Sequence, residues 1–187
     1  MIGLLPKSLL ISGQNVPIRT DFRVALIVLS AMNDPDLDEK EKIFIMVDAI
    51  IGMDKISEEN LQEAAKQVSW YLDGGKEPSE EGLNQKKLMD WDQDEQMIFS
   101  AINSVAGIET RAQDYIHWWT FLGYFNEIHE GLFSQVLLIR QKRAKGKKLE
   151  KYEEEFYRNN KSLIDLKEKY SEEEIAEMEK WNDILPD

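Results

Sequence analysis

Asp114-Tyr-Ile-His-Trp-Trp-Thr-Phe-Leu-Gly-Tyr-Phe125 is the stretch that decides how this chain folds. So many aromatic rings in so short a span are hidden from water only if the segment is a helix with other elements packed around it. The reading is therefore a central aromatic helix, opened by Asp114 and closed by Gly131, that organises a core. No nucleophile, base or metal ligand converges on it, so the block speaks for architecture and not for chemistry.

Working outward, the chain has 187 residues, enough for one compact domain with an appended helical arm. Five Trp, seven Phe and six Tyr supply large buried areas, which disordered chains lack. No apolar run approaches the roughly 20 residues of a bilayer span, and the start shows no signal-peptide core, so a soluble, unexported protein is expected. With no Cys there is no disulfide, thiolate metal site or cysteine nucleophile, which suits a reducing cytoplasm. The net charge of -13 is unevenly placed: Asn33 to Leu132 holds 22 acids against 8 bases, an excess of 14. Such a field disfavours general adhesion to nucleic acid or anionic membrane.

Turn residues and apolar stripes then divide the chain. Ser8–Ser12 and Val16–Arg19 read as short extended pieces around Gly13 to Asn15, with Pro17 marking an edge. Phe22–Met32, capped by Thr20 or Asp21, reads as a helix covered on most sides. A capping box at Asp36 and Glu39 opens a second helix with the stripe Leu37, Ile43, Phe44, Val47, Ile50 and Ile51. A third helix starts after Ser57, presents Leu61, Ala64, Ala65, Val68, Tyr71 and Leu72, and stops at Gly74-Gly75. Gly75 to about Leu88, with Pro78 and Gly82, is the expected long loop, and chain flexibility is expected there. Trp91, Asp94, Ile98, Ala101, Ile102 and Val105 share the next helical face, which ends at Gly107, and Leu132–Arg140 forms another apolar run. The fold class expected is mainly α: a helical domain over residues 1–143 with a short N-terminal β-hairpin, and a charged C-terminal helical arm over 144–187.

Two features of the C-terminal part are candidate partner contacts. Arg140, Lys142, Arg143, Lys145, Lys147 and Lys148 form a cationic strip with no acid among them. Leu149, Tyr152, Phe156, Asn159, Leu163, Leu166 and Tyr170 follow alternating spacings of three and four, a heptad seam that either docks the helix on its own domain or meets a partner. Asn159 would fix register only in the second case. Ser171 and Glu174 form a capping box for a last helix bearing Ile175, Met178, Trp181 and Leu185.

Catalytic and metal patterns fail on inspection. Asp90, Asp92 and Asp94 copy the opening of a calcium loop, yet Glu95 stands at the sixth place and Ala101 at the twelfth, so they read as the acidic start of a helix. His117 and His129 are too far apart for a ligand pair and read as structural. Gly74-Gly75-Lys76 lacks the rest of a phosphate loop. No cofactor or metal is expected, and no enzymatic activity. The cationic strip lacks the interleaved aromatics that stack on bases.

Four segments in order resemble a known family: Leu5-Pro-Lys-Ser-Leu-Leu-Ile11 with Ile18-Arg-Thr-Asp-Phe-Arg23, Trp70-Tyr-Leu-Asp-Gly-Gly-Lys-Glu-Pro78, Asp90-Trp-Asp-Gln-Asp94 with Ile98, and Asp114 to Leu122. The pattern, spanning roughly residues 4–143, is similar to phage and prophage proteins of Gram-positive bacteria encoded between the tail-tube and tape-measure genes. The resemblance implies a tail-assembly chaperone, acting in the host cytoplasm and absent from the mature virion, with the tape-measure protein and the tail-tube protein as partners and no catalytic residues. Homo-oligomerisation stays open, as does a frameshifted fusion. A helix-in-groove contact, made by the seam or by the groove beside the aromatic helix, suits that role. The alternative expectation is a nucleic-acid-associated phage regulator using the strip at 140–148, and a third is a carboxylate-based metal hydrolase.

Overall fold

Ser12 and Gly13, with φ of 47° and 76°, make the two-residue turn of an N-terminal hairpin. It joins β1 (Ser8–Ile11) to β2 (Gln14–Pro17), with Leu9 opposite Val16 and Ile11 opposite Gln14. Such a turn needs both central residues left-handed to follow the twist of the strands. The turn therefore lies one residue earlier than the expected Gly13–Asn15. Ser12 is held in this conformation by Glu63, which accepts from its N–H at 3.1 Å, and by Asn60, which accepts from its hydroxyl at 2.6 Å.

The computed structural model describes residues 3–77 and 87–184. The architecture is mainly α: α1 (Phe22–Met32), α2 (Glu39–Ile50), α3 (Leu61–Leu72), α4 (Glu95–Ala106), α5 (Trp118–Asn126), α6 (Leu132–Ala144), α7 (Lys151–Asn159), α8 (Lys161–Ile164) and α9 (Glu172–Ile184) follow the hairpin. Most of the expected loop around Pro78 and Gly82, and Leu185, lie outside the described residues. None of the described helices is long and apolar enough to cross a membrane.

Caps set the helix starts. Asp21 accepts from Arg23 N–H to open α1. The capping box of α2 is Asp38 with Glu41, two residues beyond the expected Asp36 and Glu39: Asp38 accepts from the N–H groups of Lys40 and Glu41, and Glu41 accepts from that of Asp38. The expected stripe rotates with it. Met46, Val47, Ile50 and Ile51 are buried, whereas Ile43 and Phe44 are exposed. α1 buries Phe22, Ala25 and Val28 and half-buries its other residues except Ile27, which is 61% exposed, so it is covered on most sides as expected. The far end of α2 is closed by Arg19, whose guanidinium donates to the carbonyls of Asp48 and Ala49 at 2.6 and 2.8 Å.

The aromatic block is shorter as a helix than its sequence suggests. His117, not Asp114, opens α5, its Nδ1 accepting from Trp119 N–H at 3.0 Å while Nε2 bonds the carbonyl of Pro6. Residues before it run alongside the start of α1, with Phe22 N–H donating to Ile116 and Trp118 N–H to Thr20. His129 lies beyond the end of α5. Trp118 and Phe121 are buried, and Phe121 stacks on Phe22 at a centroid distance of 4.4 Å. The two indoles clamp the end of α3: Trp118 Nε1 donates to Leu72 and Trp119 Nε1 to Tyr71, at 2.9 and 2.8 Å. Neither carbonyl has a partner within α3, and that of Tyr71 also accepts from the Gly74 N–H just beyond it. Gly75, at φ 84°, lets the chain pass so close that a Cβ there would meet the Trp119 ring at 2.9 Å. The aromatic segment thus fastens two halves of the chain through polar ring atoms as well as through its buried area.

The heptad spacing does not make one helix. α7 stops at Asn160, whose backbone (φ -129°, ψ 30°) leaves the helical region and whose side chain donates to the Phe156 carbonyl. Side-chain bonds of this kind compete with helix continuation. After α8 the chain becomes extended at Asp165 and stays non-helical to Ser171. Ile164, outside the seam, is fully buried in the core, and Leu149, Phe156 and Leu163 pack against that core. The segment through Ile164 is therefore docked on its own domain. Asn159 and Tyr152 face solvent, and the Ser171–Glu174 capping box starts α9.

Candidate functional site

The cationic strip splits into two groups. Arg140 is 6% exposed and makes a two-pronged bond to the buried Asp94, at 2.6 and 2.9 Å. Its remaining N–H groups donate to the carbonyls of Leu88, Leu163 and Ile164. Lys142 reaches both oxygens of the buried Glu153, at 2.6 and 2.8 Å. That bond raises the Lys142 ammonium above its ordinary value and, with the Glu150 N–H, lowers the Glu153 carboxyl. Arg143 pairs with Asp165 and lies over the Tyr157 ring, 4.2 Å from its centroid. Lys145, Lys147 and Lys148 are exposed. Half the strip thus ties α6 to α4, α7 and the chain beyond α8, which leaves a short cationic end where a nucleic-acid reading expected a continuous track.

Asp90-Trp-Asp-Gln-Asp94 is the most heavily bonded turn in this region. Asp90 accepts from the N–H groups of Asp92 and Gln93 and from Lys87, and Asp94 accepts from Asp90 N–H. Burial pushes the Asp90 carboxyl up, but the Lys87 ammonium and the Gln93 N–H outweigh it and bring it down to about 2. The calcium-like spacing is thereby accounted for by backbone donors and cations of the chain itself. Asp94 is the cap residue of α4 and not part of its first turn.

A surface recess of about 610 Å³ opens between α4 and the connection from α5 to α6. On the α4 side stand Met97, Ala101 and Val105, one helical turn apart, and opposite them Ile128, Leu132 and Phe133. Val105 and Leu132 are 40% and 47% exposed. Gln96, Glu127, His129 and Glu130 form a polar rim that carries two carboxylates. The apolar row on α4 spans about 12 Å, two turns of an incoming helix. A second recess, of about 620 Å³, lies over the Ile43 and Phe44 face of α2, beside Leu37 and Leu61.

Neither recess is built from the residues expected to meet a partner. Of the seam, Tyr152 and Tyr170 are exposed, Leu166 is half-buried, and Leu149, Phe156 and Leu163 lean on the core. The groove beside the aromatic helix was legible only as a place. Val105 and Ala101 read as core by periodicity, and Leu132 as the start of a buried run. What separates Leu132 from Phe133, 47% against 2% exposed, is the direction in which α6 leaves Gly131, which no local pattern records.

The family model described as Bacteriophage Gp15 protein matches residues 1–166. No curated protein and no solved structure matches the chain.

Proposed function

This chain belongs to the Bacteriophage Gp15 protein family, and from that premise we propose that it is a non-catalytic tail-assembly chaperone that holds the tape-measure protein in soluble form and helps tail-tube subunits assemble around it. The observation that carries the reading is the recess between α4 and the α5–α6 connection. Its row of Met97, Ala101 and Val105 faces Leu132 across an open apolar floor, the shape into which an amphipathic helix lays its stripe. A tape-measure protein, long and helical with apolar stretches, offers such stripes in number. Glu127 and Glu130 on the rim and the net charge of -13 keep a loaded complex soluble and repel other copies. On this reading the protein works in the host cytoplasm and leaves before the virion matures.

The test is co-expression with the tape-measure protein of the same phage. The tape-measure protein becomes soluble and co-purifies with the wild-type chain, and the Val105→Asp/Leu132→Asp variant loses both effects while keeping its circular dichroism spectrum. Capture that is unchanged by the double substitution removes the recess from the reading. A tape-measure protein equally soluble without the chain overturns the chaperone role itself.

A further inference from the structure

The carboxamide of Gln93 does what the main chain of a neighbouring strand does. Its NH₂ donates to the Asp165 carbonyl and its oxygen accepts from Lys167 N–H, both at 2.9 Å. In a parallel sheet one residue bonds in this way to the carbonyl before and the N–H after the residue it flanks. Here a side chain flanks Leu166. Only one orientation of the amide satisfies both bonds, so donor and acceptor are fixed. Three places beyond Leu166, the Lys169 ammonium lies 2.6 Å from Asp92 and 3.4 Å from Asp90. Backbone groups are read by Gln93, and a cation by the two carboxylates.

We propose that the Asp90–Gln93 turn is a recognition site for an extended, lysine-bearing polypeptide segment of a protein partner, and that residues 165–169 of this chain occupy it as a tethered competitor. The turn is formed without the tail: Asp90 is anchored by the N–H groups of Asp92 and Gln93, and Asp94 by Arg140. A receptor already in its binding shape needs little ordering to accept a segment. Beyond Asp165, which Arg143 and the Tyr157 hydroxyl also hold, and the half-buried Leu166, the tail is the weakly held side. Lys167, Glu168, Lys169 and Tyr170 are all exposed, and the next attachment is the Glu172 N–H on Asp36 at 2.7 Å. Segments with little buried apolar surface open at low free-energy cost.

A tethered segment acts at an effective concentration in the millimolar range, so an incoming segment must either be abundant or bind better than the tail. This proposal does not rest on the tape-measure reading, because the turn sits at the start of α4 and draws on none of the apolar lining of the recess.

The probe is a fluorescent acetylated peptide of residues 165–171, Asp-Leu-Lys-Glu-Lys-Tyr-Ser, titrated into full-length protein. Lys167→Pro with Lys169→Ala removes the N–H and the cation from the tethered tail. That variant binds the peptide at least tenfold more tightly than the wild type does, and Gln93→Leu added to it abolishes binding. Equal affinity for both proteins, or no binding by the released variant at millimolar peptide, overturns the proposal. Hydrogen exchange on the otherwise wild-type chain gives an independent reading: Gln93→Leu, or Asp92→Asn should the first fail to fold, speeds exchange of the Lys167 amide at least tenfold and leaves α4 unchanged. Unaltered protection of Lys167 in a folded variant also overturns it.

Discussion

Arg140 and Asp94, 46 positions apart in sequence, form a two-pronged ion pair that is almost closed to water, with side-chain exposures of 5% and 0%. Because Arg140 also holds the Leu88, Leu163 and Ile164 carbonyls, one guanidinium gathers α4, α6 and α8 at a single point.

Removing one partner strands the other charge in the interior. Asp94→Ala and Arg140→Met should each lower unfolding free energy by about 3–5 kcal/mol, and the double variant by clearly less than their sum. Urea denaturation of the three variants measures this. Additive losses would mean that the charges act separately.

Tyr71 is fully buried, and its hydroxyl has no hydrogen-bond partner among the described residues. Burial first, then the charges of Tyr115 and Asp21, pushes the phenol far above its ordinary value, so it stays protonated. An unsatisfied buried hydroxyl costs about 1–3 kcal/mol, so Tyr71→Phe should stabilise the protein by up to about that amount and raise its thermal midpoint. A lower midpoint would show that the hydroxyl is satisfied in solution.

Asp90 makes the acid limb of stability steeper. Its carboxyl falls from 3.8 to about 2 on folding, so its contribution is fully present above pH 4 and is lost as pH drops towards 2. Asp90→Asn should flatten the stability profile between pH 4 and 2 while lowering the plateau at pH 7. Denaturant midpoints across that range decide it, and an unchanged slope would remove Asp90 from the account.

Gly75 should not accept a side chain. Gly75→Ala combines a left-handed backbone with a Cβ pressed against Trp119, and its cost should exceed the about 1 kcal/mol of an ordinary Gly-to-Ala change at positive φ. Trp119 is displaced in consequence, so tryptophan fluorescence shifts along with the melting temperature.

How far the sequence carries can be judged from particular residues. The helical class, the hairpin, Phe22–Met32, the Gly107 stop and the final capping box were all legible, because each rests on spacing or on a residue whose conformational preference acts locally. Asp38 was missed for Asp36 because two acids stand two residues apart before the same helix and both have a Glu three places on. The break at Asn160 was hidden because the 3–4 spacing runs straight through it while the Asn160 side chain takes the Phe156 carbonyl, and the end of α8 was hidden because its cause is long-range: Arg140 takes the Leu163 and Ile164 carbonyls that a continuing helix would have used. Gln93 carried no signal at all, since its partners lie 72 and 74 residues downstream. The four resembling segments turn out to hold joints of the fold, among them Arg19 on α2, Asp94 on Arg140 and the two indoles on α3.

The indole clamp also imposes an order on synthesis. A ribosome releases the hairpin and the first three helices while Trp119 and Phe121 are still untranslated, so Phe22 and Tyr71 lack the rings that stack on them when they emerge. The N-terminal half must wait, greasy side out, until the aromatic block arrives to shut it, and in that interval the nascent chain is itself in need of the shelter proposed here for another polypeptide.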